Sequence, residues 1–420
     1  MENTDCIKRI YLVGGAVRDK LLNQPIEDKD YVAVGYQQED FSHLPQVGKS
    51  FPVFLQKDGS QIALARKEKK ICAGYNGFSI QTQQVSLEED LKRRDLTINS
   101  IAFDEENNKY YDPFNGINDL QNKILRHTSE SFCEDPLRVL RIARFRARFG
   151  ISWKIHPSTK VLIYKMREEL KSLEPNRVYK EVESALKFPN TALFFETLFE
   201  LGVLDIIFPH IYALTTLKEG NLYHLESSVF AHTMEVLRIA ESLLETLKTI
   251  SAESSLEKQT LILKFAALYH DIAKPYCYRN FGNSSGHDKL EYLLPTLDIS
   301  IPKSIQKPML QLIKNHIKIY QLDKMCPSKV VKFFESFKKD SLLFHLQFAL
   351  LIADKEGRIP KDSIASESFK ERLMHTFNAL NIYSPKTWLE SQKSPPKSEA
   401  IKAHILQEKI KILDSVFYGK

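Results

Sequence analysis

The chain has 420 residues, enough for roughly two to four domains of ordinary size. Its composition is 43% hydrophobic and 27% charged, which is typical of a globular protein, and no run approaches the ~18–20 apolar residues of a membrane span. Residues 1–8 lack the apolar core of a secretion signal, and the five cysteines are widely spaced. The sequence therefore predicts a cytoplasmic protein in a reducing compartment, and its net charge of +6 is compatible with a polyanionic partner.

The first part of the chain, residues 1–127, reads as mixed α/β. Short apolar runs alternate with turns rich in Gly, Asn and Pro, and short helices are predicted at 16–22 and 87–91. The predicted strands are 10–13, 31–34, 51–54, 61–65, 78–80 and 98–103.

From about residue 128 the pattern becomes helical and remains so, which makes the fold class α+β. The predicted helices are 135–149, 159–166, 176–186, 192–201 and 400–417, with a further helical region from 228. We expect four parts: 1–127, 128–227, an all-α domain at 228–330, and a helical tail at 331–420.

The stretch from residue 11 to 35 combines a glycine turn with two acids. Gly14-Gly15 opens a short helix that carries Arg18, and such a turn presents free N–H groups that suit a phosphate. Asp28 and Asp30 are expected at the start of the next strand, on one face, where two carboxylates can hold Mg²⁺. The alternative is an acidic surface turn with no chemical role.

Two later segments carry arginines with acids. Arg94 follows an acidic helix and is suited to bind triphosphate oxygens. Asp135 and Arg138 lie three apart at the start of a helix, so one offers acceptors and the other donors to the edge of a base. The alternative is an N-terminal cap with a local ion pair. Arg138, Arg141 and Arg144 share one helix face.

Twelve histidines are present. Four of them, His232, His270, His287 and His316, follow one another in the second half, together with Asp271 and Asp354. The ordered set H…HD…D is formed by His232, His270-Asp271 and Asp354. Imidazole and carboxylate groups together suit a divalent cation. Any one of these histidines alone would more often be a structural residue.

These motifs resemble those of the class II tRNA nucleotidyltransferases, the CCA-adding enzymes, and in particular their bacterial multifunctional members with an added HD domain. The resemblance is carried by GGAVRDKLL…EDKD, LEEDLKRRDLTINSIAFD, YDPFNG, EDPLRVLRIARFRARFG and EPNRVYKE, in that order. It implies a polymerase β-like head, a helical neck and body, and template-independent addition of CCA to tRNA from CTP and ATP. Bacterial poly(A) polymerases share the early motifs and stay open as an alternative, as does a nucleotidyltransferase with an inactive HD domain.

The resemblance also implies roles for single residues. Asp28 and Asp30 would bind Mg²⁺, and a third carboxylate is left unassigned. The flexible loop of the family has its counterpart at 66–77. The nucleotide-contacting set would be Gly15, Arg18, Arg94, Glu134, Asp135, Arg138, Arg141 and Arg144, with Glu134, Asp135 and Arg138 as the amino-acid template.

For the HD domain the resemblance implies phosphatase, 2′-nucleotidase and 2′,3′-cyclic phosphodiesterase activity. Its metal ligands would be His232, His270, Asp271 and Asp354, supported by His287 and His316. A divalent transition metal such as Ni²⁺ is expected there. The sequence leaves monomer and homodimer open.

Overall fold

The computed structural model describes residues 8–48, 52–70, 78–82, 84–218, 228–248, 253–338, 340–359, 367–392 and 394–419. The predicted loop at 66–77 lies partly outside these residues, because 71–77 are not described. The chain divides into two compact units, Met1–Glu181 with Leu193–Ile207, and Val182–Ala192 with Phe208–Lys420.

The first unit holds all eleven strands found in the described part of the chain. They are β1 Arg9–Val13, β2 Asp30–Val34, β3 Gln46–Val47, β4 Val53–Leu55, β5 Gln61–Leu64, β6 Lys67–Lys70, β7 Phe78–Gln81, β8 Ala102–Asp104, β9 Lys109–Tyr111, β10 Ile124–Leu125 and β11 Lys154–Ile155. Seven of them form one mixed sheet in the order β3-β4-β5-β2-β1-β8-β9. Only β2 and β5 are parallel neighbours in it.

Most of the described helices lie after residue 136. They are α1 Gly15–Leu21, α2 Leu87–Lys92, α3 Gly116–Gln121, α4 Leu137–Phe149, α5 Pro157–Lys165, α6 Pro175–Leu186, α7 Thr191–Glu200, α8 Leu204–Ile207, α9 Pro209–Thr216, α10 Val229–Lys248, α11 Glu253–Tyr269, α12 Lys274–Phe281, α13 Leu290–Leu293, α14 Lys303–Asn315, α15 Pro327–Glu335, α16 Ser341–Glu356, α17 Glu367–Ile382, α18 Lys386–Glu390 and α19 Ser398–Val416. Short 3₁₀ segments connect several of them. The predicted α+β class, with a mixed sheet followed by helices, is confirmed.

Strand β1 illustrates how the sheet builds its core. Tyr11 and Val13 point to one face and pack with Val32 and Leu91, while Leu12 points to the other and packs with α1. This alternation follows from the two-residue period of a strand. The end of β1 and the start of β2 therefore lie between two apolar layers, and the turn after β1 and the loop before β2 carry the site.

The strand predicted at 98–103 is partly wrong. Residues Thr97–Asn99 form a 3₁₀ turn, and β8 begins only at Ala102. The Thr97 hydroxyl donates to Asp119 at 2.7 Å, and the Asn99 amide donates to Asp95 at 2.9 Å. These side-chain bonds favour a turn over an extended chain, although the β-branched residues suggested a strand.

Candidate functional site

The glycine turn and the two acids line one cleft in the first unit, with a volume of about 690 Å³. The glycine turn expected to suit a phosphate and the acids expected to hold Mg²⁺ thus lie in the same cleft. The lining residues are Gly14, Gly15, Arg18, Asp19, Glu27, Asp28, Asp30, Arg66, Arg93, Arg94, Asp95, Asn99, Asp135, Leu137, Arg138, Arg141, Arg144, Phe145, Arg148 and Arg177. Nine are arginines, so the cleft suits a polyanion.

Gly14 needs to be glycine for two reasons. Its φ of +70° lies in the left-handed region that other residues rarely adopt. A Cβ there would also lie 3.1 Å from Nη1 of Arg94. The turn therefore brings the start of α1 and the Arg94 guanidinium to the same corner of the cleft.

Arg18 lies below this turn and is only 4% exposed. Its guanidinium donates to both carboxylate oxygens of Asp19 at 3.0 Å and to the Asn99 side chain at 2.7 Å. Arg18 therefore supports the floor of the cleft through protein contacts, as well as lining it.

Asp28 and Asp30 both line the cleft, but β2 begins only at Asp30. The expectation that both lie on the strand is therefore wrong for Asp28, which belongs to the preceding loop. The surrounding protein desolvates Asp30 and raises its pKa; the Arg94 guanidinium opposes this and Asp28 adds to it. Two carboxylates that line the same cleft fit divalent cations, whose charge would offset the repulsion between them.

A buried carboxylate that sequence reasoning missed holds Arg94 in place. Asp90 is fully buried in the first turn of α2, where it accepts from Arg93 at 2.6 Å and from Arg94 at 3.1 Å. It also accepts from the backbone N–H of Arg66 at 3.2 Å. Burial alone would raise the pKa of Asp90, but the two arginines hold it below its usual value. The i,i+3 and i,i+4 spacing of an acid before two arginines was the available signal.

Asp135 and Arg138 lie at the start of α4 and reach the same cleft. Asp135 accepts from Arg177 at 2.8 Å and caps the helix by accepting from the Leu137 N–H at 3.1 Å. Arg138 donates to the Ser131 and Arg93 carbonyls at 2.6 and 2.7 Å. The helix cap considered as an alternative is thus present, together with a place in the cleft. Glu134 ends the preceding 3₁₀ turn and is absent from the lining residues described.

The remaining arginines of α4 are anchored by acids from other elements. Arg141 donates to Asp95 at 2.7 Å, and Arg144 donates to Glu181 at 2.7 Å. Burial alone would raise the pKa of Asp95, but Arg141 holds it well below its usual range. We call Arg141 and Arg144 the arginine wall. Their ion pairs hold them in position before any ligand binds.

The second unit contains the histidine set, and all six residues predicted from the sequence come together. His232 lies on α10, His270-Asp271 follows α11, and Asp354 lies on α16. His287 lies in the loop before α13, and His316 directly follows α14. Each of the six is at most 6% exposed.

The four imidazole rings are anchored in the same way, through Nδ1. The Nδ1 atoms of His232, His270, His287 and His316 lie 3.1, 2.8, 2.7 and 2.5 Å from backbone carbonyls. A carbonyl can only accept, so each Nδ1 carries a proton, and the Nε2 atom of each ring is directed to the centre, where it can bind a metal when the ring is neutral. Such backbone anchoring is typical of metal-binding histidines.

The Nε2 atoms of the four rings face one another and the two carboxylates at short distances. The Nε2 atoms of His232 and His270 are 3.4 Å apart, and those of His287 and His316 are 3.2 Å apart. Nε2 of His287 is 3.1 Å from Asp271, and that of His232 is 3.3 Å from Asp354. Lone pairs at such distances repel, so these residues fit one or two divalent cations.

The ligand atoms separate into two groups of three, His232 with His270 and Asp354, and Asp271 with His287 and His316. Within each group all ligand atoms lie within 4.8 Å of one another. Burial lowers the pKa of His316 to about 3, which keeps this ring neutral and able to ligate.

Outer contacts orient the two carboxylates. Lys274 donates to Asp271 at 2.8 Å, and Arg358 donates to both oxygens of Asp354 at 3.1 and 3.0 Å. Burial alone would raise the pKa of Asp354, but His232 and Arg358 hold it well below its usual range. Both carboxylates are therefore ionised, as metal ligands must be.

No helix in the described residues is both long enough and apolar enough to cross a bilayer.

Comparison with protein families gives three matches along the chain. The model described as "Poly A polymerase head domain" matches residues 10–126, and "Probable RNA and SrmB- binding site of polymerase A" matches 153–214. The HD domain model matches residues 229–334. The head match includes Gly15, Asp28 and Asp30 of the cleft, whereas the cleft residues on α4 lie between the first two matches. The HD match includes five members of the histidine set, and Asp354 lies beyond it.

Solved structures share the fold. The Thermotoga maritima CCA-adding enzyme complexed with tRNA has a TM-score of 0.63 at 18% identity, covering 97% of this chain and 88% of that one. The Bacillus stearothermophilus CCA-adding enzyme in complex with CTP has a TM-score of 0.61 at 21% identity, covering 98% and 89%.

A relative of full length is more similar in sequence. The multifunctional CCA protein of Mannheimia succiniciproducens is 38% identical over 387 residues, which cover 89% of this chain and 90% of the relative. The head and HD matches imply divalent metals, and among the described residues the structure shows two groups of possible metal ligands in the second unit. The predicted resemblance is confirmed, and the chain belongs to the multifunctional CCA protein family.

Proposed function

We propose that the first unit adds the terminal CCA to tRNA from CTP and ATP, without a nucleic-acid template. The observation that carries this proposal is the single cleft in which Gly15, Asp28, Asp30 and the arginine wall converge. Its support from relatives is that the named homologue is a multifunctional CCA protein, and that the solved enzymes of this fold were captured with tRNA and with CTP.

The residues of the cleft divide the work by charge. Arg94, Arg141 and the N–H groups of the glycine turn bind the triphosphate, because donors and positive charge surround that side. Asp28 and Asp30 line the same cleft and hold Mg²⁺ in this proposal. Bound Mg²⁺ would supply activation of the tRNA 3′-hydroxyl and neutralisation of the leaving pyrophosphate. Anchoring by Asp90 and Asp95 keeps the arginines in place, so little reorganisation is needed when substrate binds.

Asp135 and Arg138 choose the nucleotide in this proposal, as part of a helical neck. Both line the cleft, Asp135 just before α4 and Arg138 in its first turn, where an acceptor and a donor can meet a base edge. Arg177 holds Asp135 at 2.8 Å and so orients this carboxylate. Glu134 stays a predicted contributor next to Asp135.

The second unit is proposed to hydrolyse phosphate esters at the RNA 3′ end. The six buried residues can hold two transition-metal ions, and Ni²⁺ is a suitable candidate because imidazole ligands favour it. Bound metal would supply a nucleophilic hydroxide near neutral pH. Lys274 and Arg358 keep Asp271 and Asp354 ionised and oriented. We propose a cytoplasmic location for both activities, because their tRNA and nucleotide substrates are found there.

A tRNA that ends just before its CCA tail tests the proposal. Incubation with CTP and ATP should give a product extended by three nucleotides, and CTP alone should give two additions. A poly(A) polymerase would instead extend the same tRNA with ATP alone. That result, or no extension, would contradict the proposal.

A further inference from the structure

A groove with a strongly basic rim lies in the second unit, outside both sites described above. It has a volume of about 790 Å³ and runs between α14 and α15. We call it the lysine groove, defined by Lys303, Lys307, Lys314, Lys318, Lys329 and Lys332. Its floor is apolar and includes Leu310, Met325 and Phe333.

The charge of this groove is not balanced locally. No acidic residue is among the described residues that line it, and none of the six ammonium groups forms an ion pair with a carboxylate of the described chain. Five of the lysines are exposed, and Lys318 is half-buried. Lysines that only keep a surface soluble are usually interspersed with acids, so this one-sided set indicates a polyanionic ligand.

The groove has the dimensions of a path for a nucleic-acid strand. Lys303, Lys307 and Lys314 recur on one face of α14, and 11 residues of helix span about 16 Å. This is roughly the length of a few stacked nucleotides. Lys329 and Lys332 lie on α15, across the groove.

The groove begins next to the histidine set. Asn315 lines it and is followed directly by His316, so the two Cα atoms are about 3.8 Å apart. Leu290 lines it as well and follows His287 by three residues. Asp288, the neighbour of His287, acts electrostatically on Lys318. A strand in the groove would thus end near the metal ligands.

Exposed aromatic rings near the same loop favour RNA over an acidic peptide. The rings of Tyr276 and Tyr292 are 5.2 Å apart, and Phe281 is 5.6 Å from Tyr292. Tyr276 is 40% and Phe281 49% exposed, although apolar rings are usually buried. Such rings provide stacking surfaces for unpaired bases, alongside lysines for the phosphates.

We propose that the lysine groove binds the phosphate backbone of a single-stranded RNA 3′ end and guides that end to the histidine site. This inference rests on the proposed phosphohydrolase function and adds the substrate class. The 3′ end of an RNA strand is preferred over a free nucleotide. The apolar floor and the aromatic rings contact bases without reading a sequence.

The kinetic test uses the full chain with Lys307, Lys314 and Lys332 replaced together by Gln. The substrates are an RNA hexamer and a mononucleotide, each ending in a 2′,3′-cyclic phosphate. We expect the KM for the hexamer to rise roughly 10- to 100-fold, because three phosphate contacts are lost, while the KM for the mononucleotide is unchanged. An unchanged KM for the hexamer, or an equal rise for both substrates, would overturn the proposal.

The matched control removes the same charge elsewhere in the unit, by Gln at Lys386, Lys397 and Lys402, which are all exposed. It should behave as the wild type with both substrates. The groove variant should still extend tRNA in the first unit, which shows that the chain is folded.

A binding arm separates failure of this inference from failure of the proposed hydrolysis. Fluorescence anisotropy with a labelled RNA hexamer and metal-free protein should show weaker binding to the groove variant than to the control. The slope of log K against log salt should also fall by about 2. Equal affinities would refute the groove even if hydrolysis occurs. A glutamate-rich peptide that binds as tightly as the hexamer would refute the assignment to RNA.

Discussion

The buried carboxylate of Asp90 allows a direct test of how the cleft is held together. We consider Asp90→Asn, which keeps the shape of the side chain but removes its charge and turns one acceptor into a donor. Asp90 accepts hydrogen bonds from Arg93, Arg94 and the Arg66 backbone, and it is fully buried. The new amide would therefore face the arginines with its own N–H group.

The magnitude follows from burial and partners. Removing one partner of a buried ion pair costs about 3–5 kcal/mol. The side chains of Arg93 and Arg94 are 15% and 20% exposed and can partly turn to water, so the lower end, about 3 kcal/mol, is expected. Arg94 loses its anchor at the same time, so the KM for CTP should rise roughly tenfold while kcat falls less.

Thermal unfolding of the first unit and the kinetics of CTP incorporation would measure both effects. Glu88→Gln is the matched control, because it removes one charge from an exposed position of the same helix. A Tm and a KM for Asp90→Asn that equal those of Glu88→Gln would refute the reasoning.

The pH dependence of this contribution has a defined sign. The folded pKa of Asp90 is lowered, so its stabilisation is fully present above the unfolded value of about 4. It is lost as the pH falls further, towards the folded pKa. The stability difference between the wild type and Asp90→Asn should therefore shrink below about pH 4.

Four further predictions concern the two sites. Asp28→Ala should reduce nucleotide addition roughly a thousandfold or more, measured by tRNA extension, because bound metal supplies several kcal/mol. Asp135→Ala should change the ratio of CTP to ATP incorporation in a competition assay more than it slows turnover. His270→Ala should abolish hydrolysis of 2′,3′-cyclic phosphates and leave nucleotide addition within about twofold of the wild type. Metal analysis should find two transition-metal ions in the second unit, only one in His316→Ala, and no hydrolysis after chelation.

Each of these predictions has an outcome that contradicts it. Full activity of Asp28→Ala would exclude that carboxylate as a metal ligand, and an unchanged CTP-to-ATP ratio would exclude Asp135 from base selection. Equal hydrolysis by His270→Ala and the wild type would show that the histidine set is structural. A single metal ion in the wild-type unit would leave the second group of three without its proposed role.

Sequence reasoning located about half of the residues that line the cleft, because their spacing is local. The glycine turn, Arg18 and the acids near β2 lie within 17 residues, and the arginines recur on one helix. The histidine set spans more than 120 residues, and its order was interpretable only through resemblance to HD domains. Its six members meet around one centre in the structure.

Two further missed features depend on pairing between distant elements. Arg177 contacts Asp135 from α6, and Asp95 holds Arg141 from another element; neither contact has a local signal. Strand β9, Lys109–Tyr111, is at the edge of the sheet and too short to show a period. The prediction for Asp28 was wrong because the alternation of side chains does not define the residue at which a strand begins.

The most direct measurement is a crystal structure of the full chain with a non-hydrolysable CTP analogue and Mg²⁺. The account predicts that the triphosphate contacts the glycine turn and Arg94, with Mg²⁺ bound by Asp28 and Asp30. An analogue bound away from this cleft, or phosphates with no metal on the two carboxylates, would contradict it.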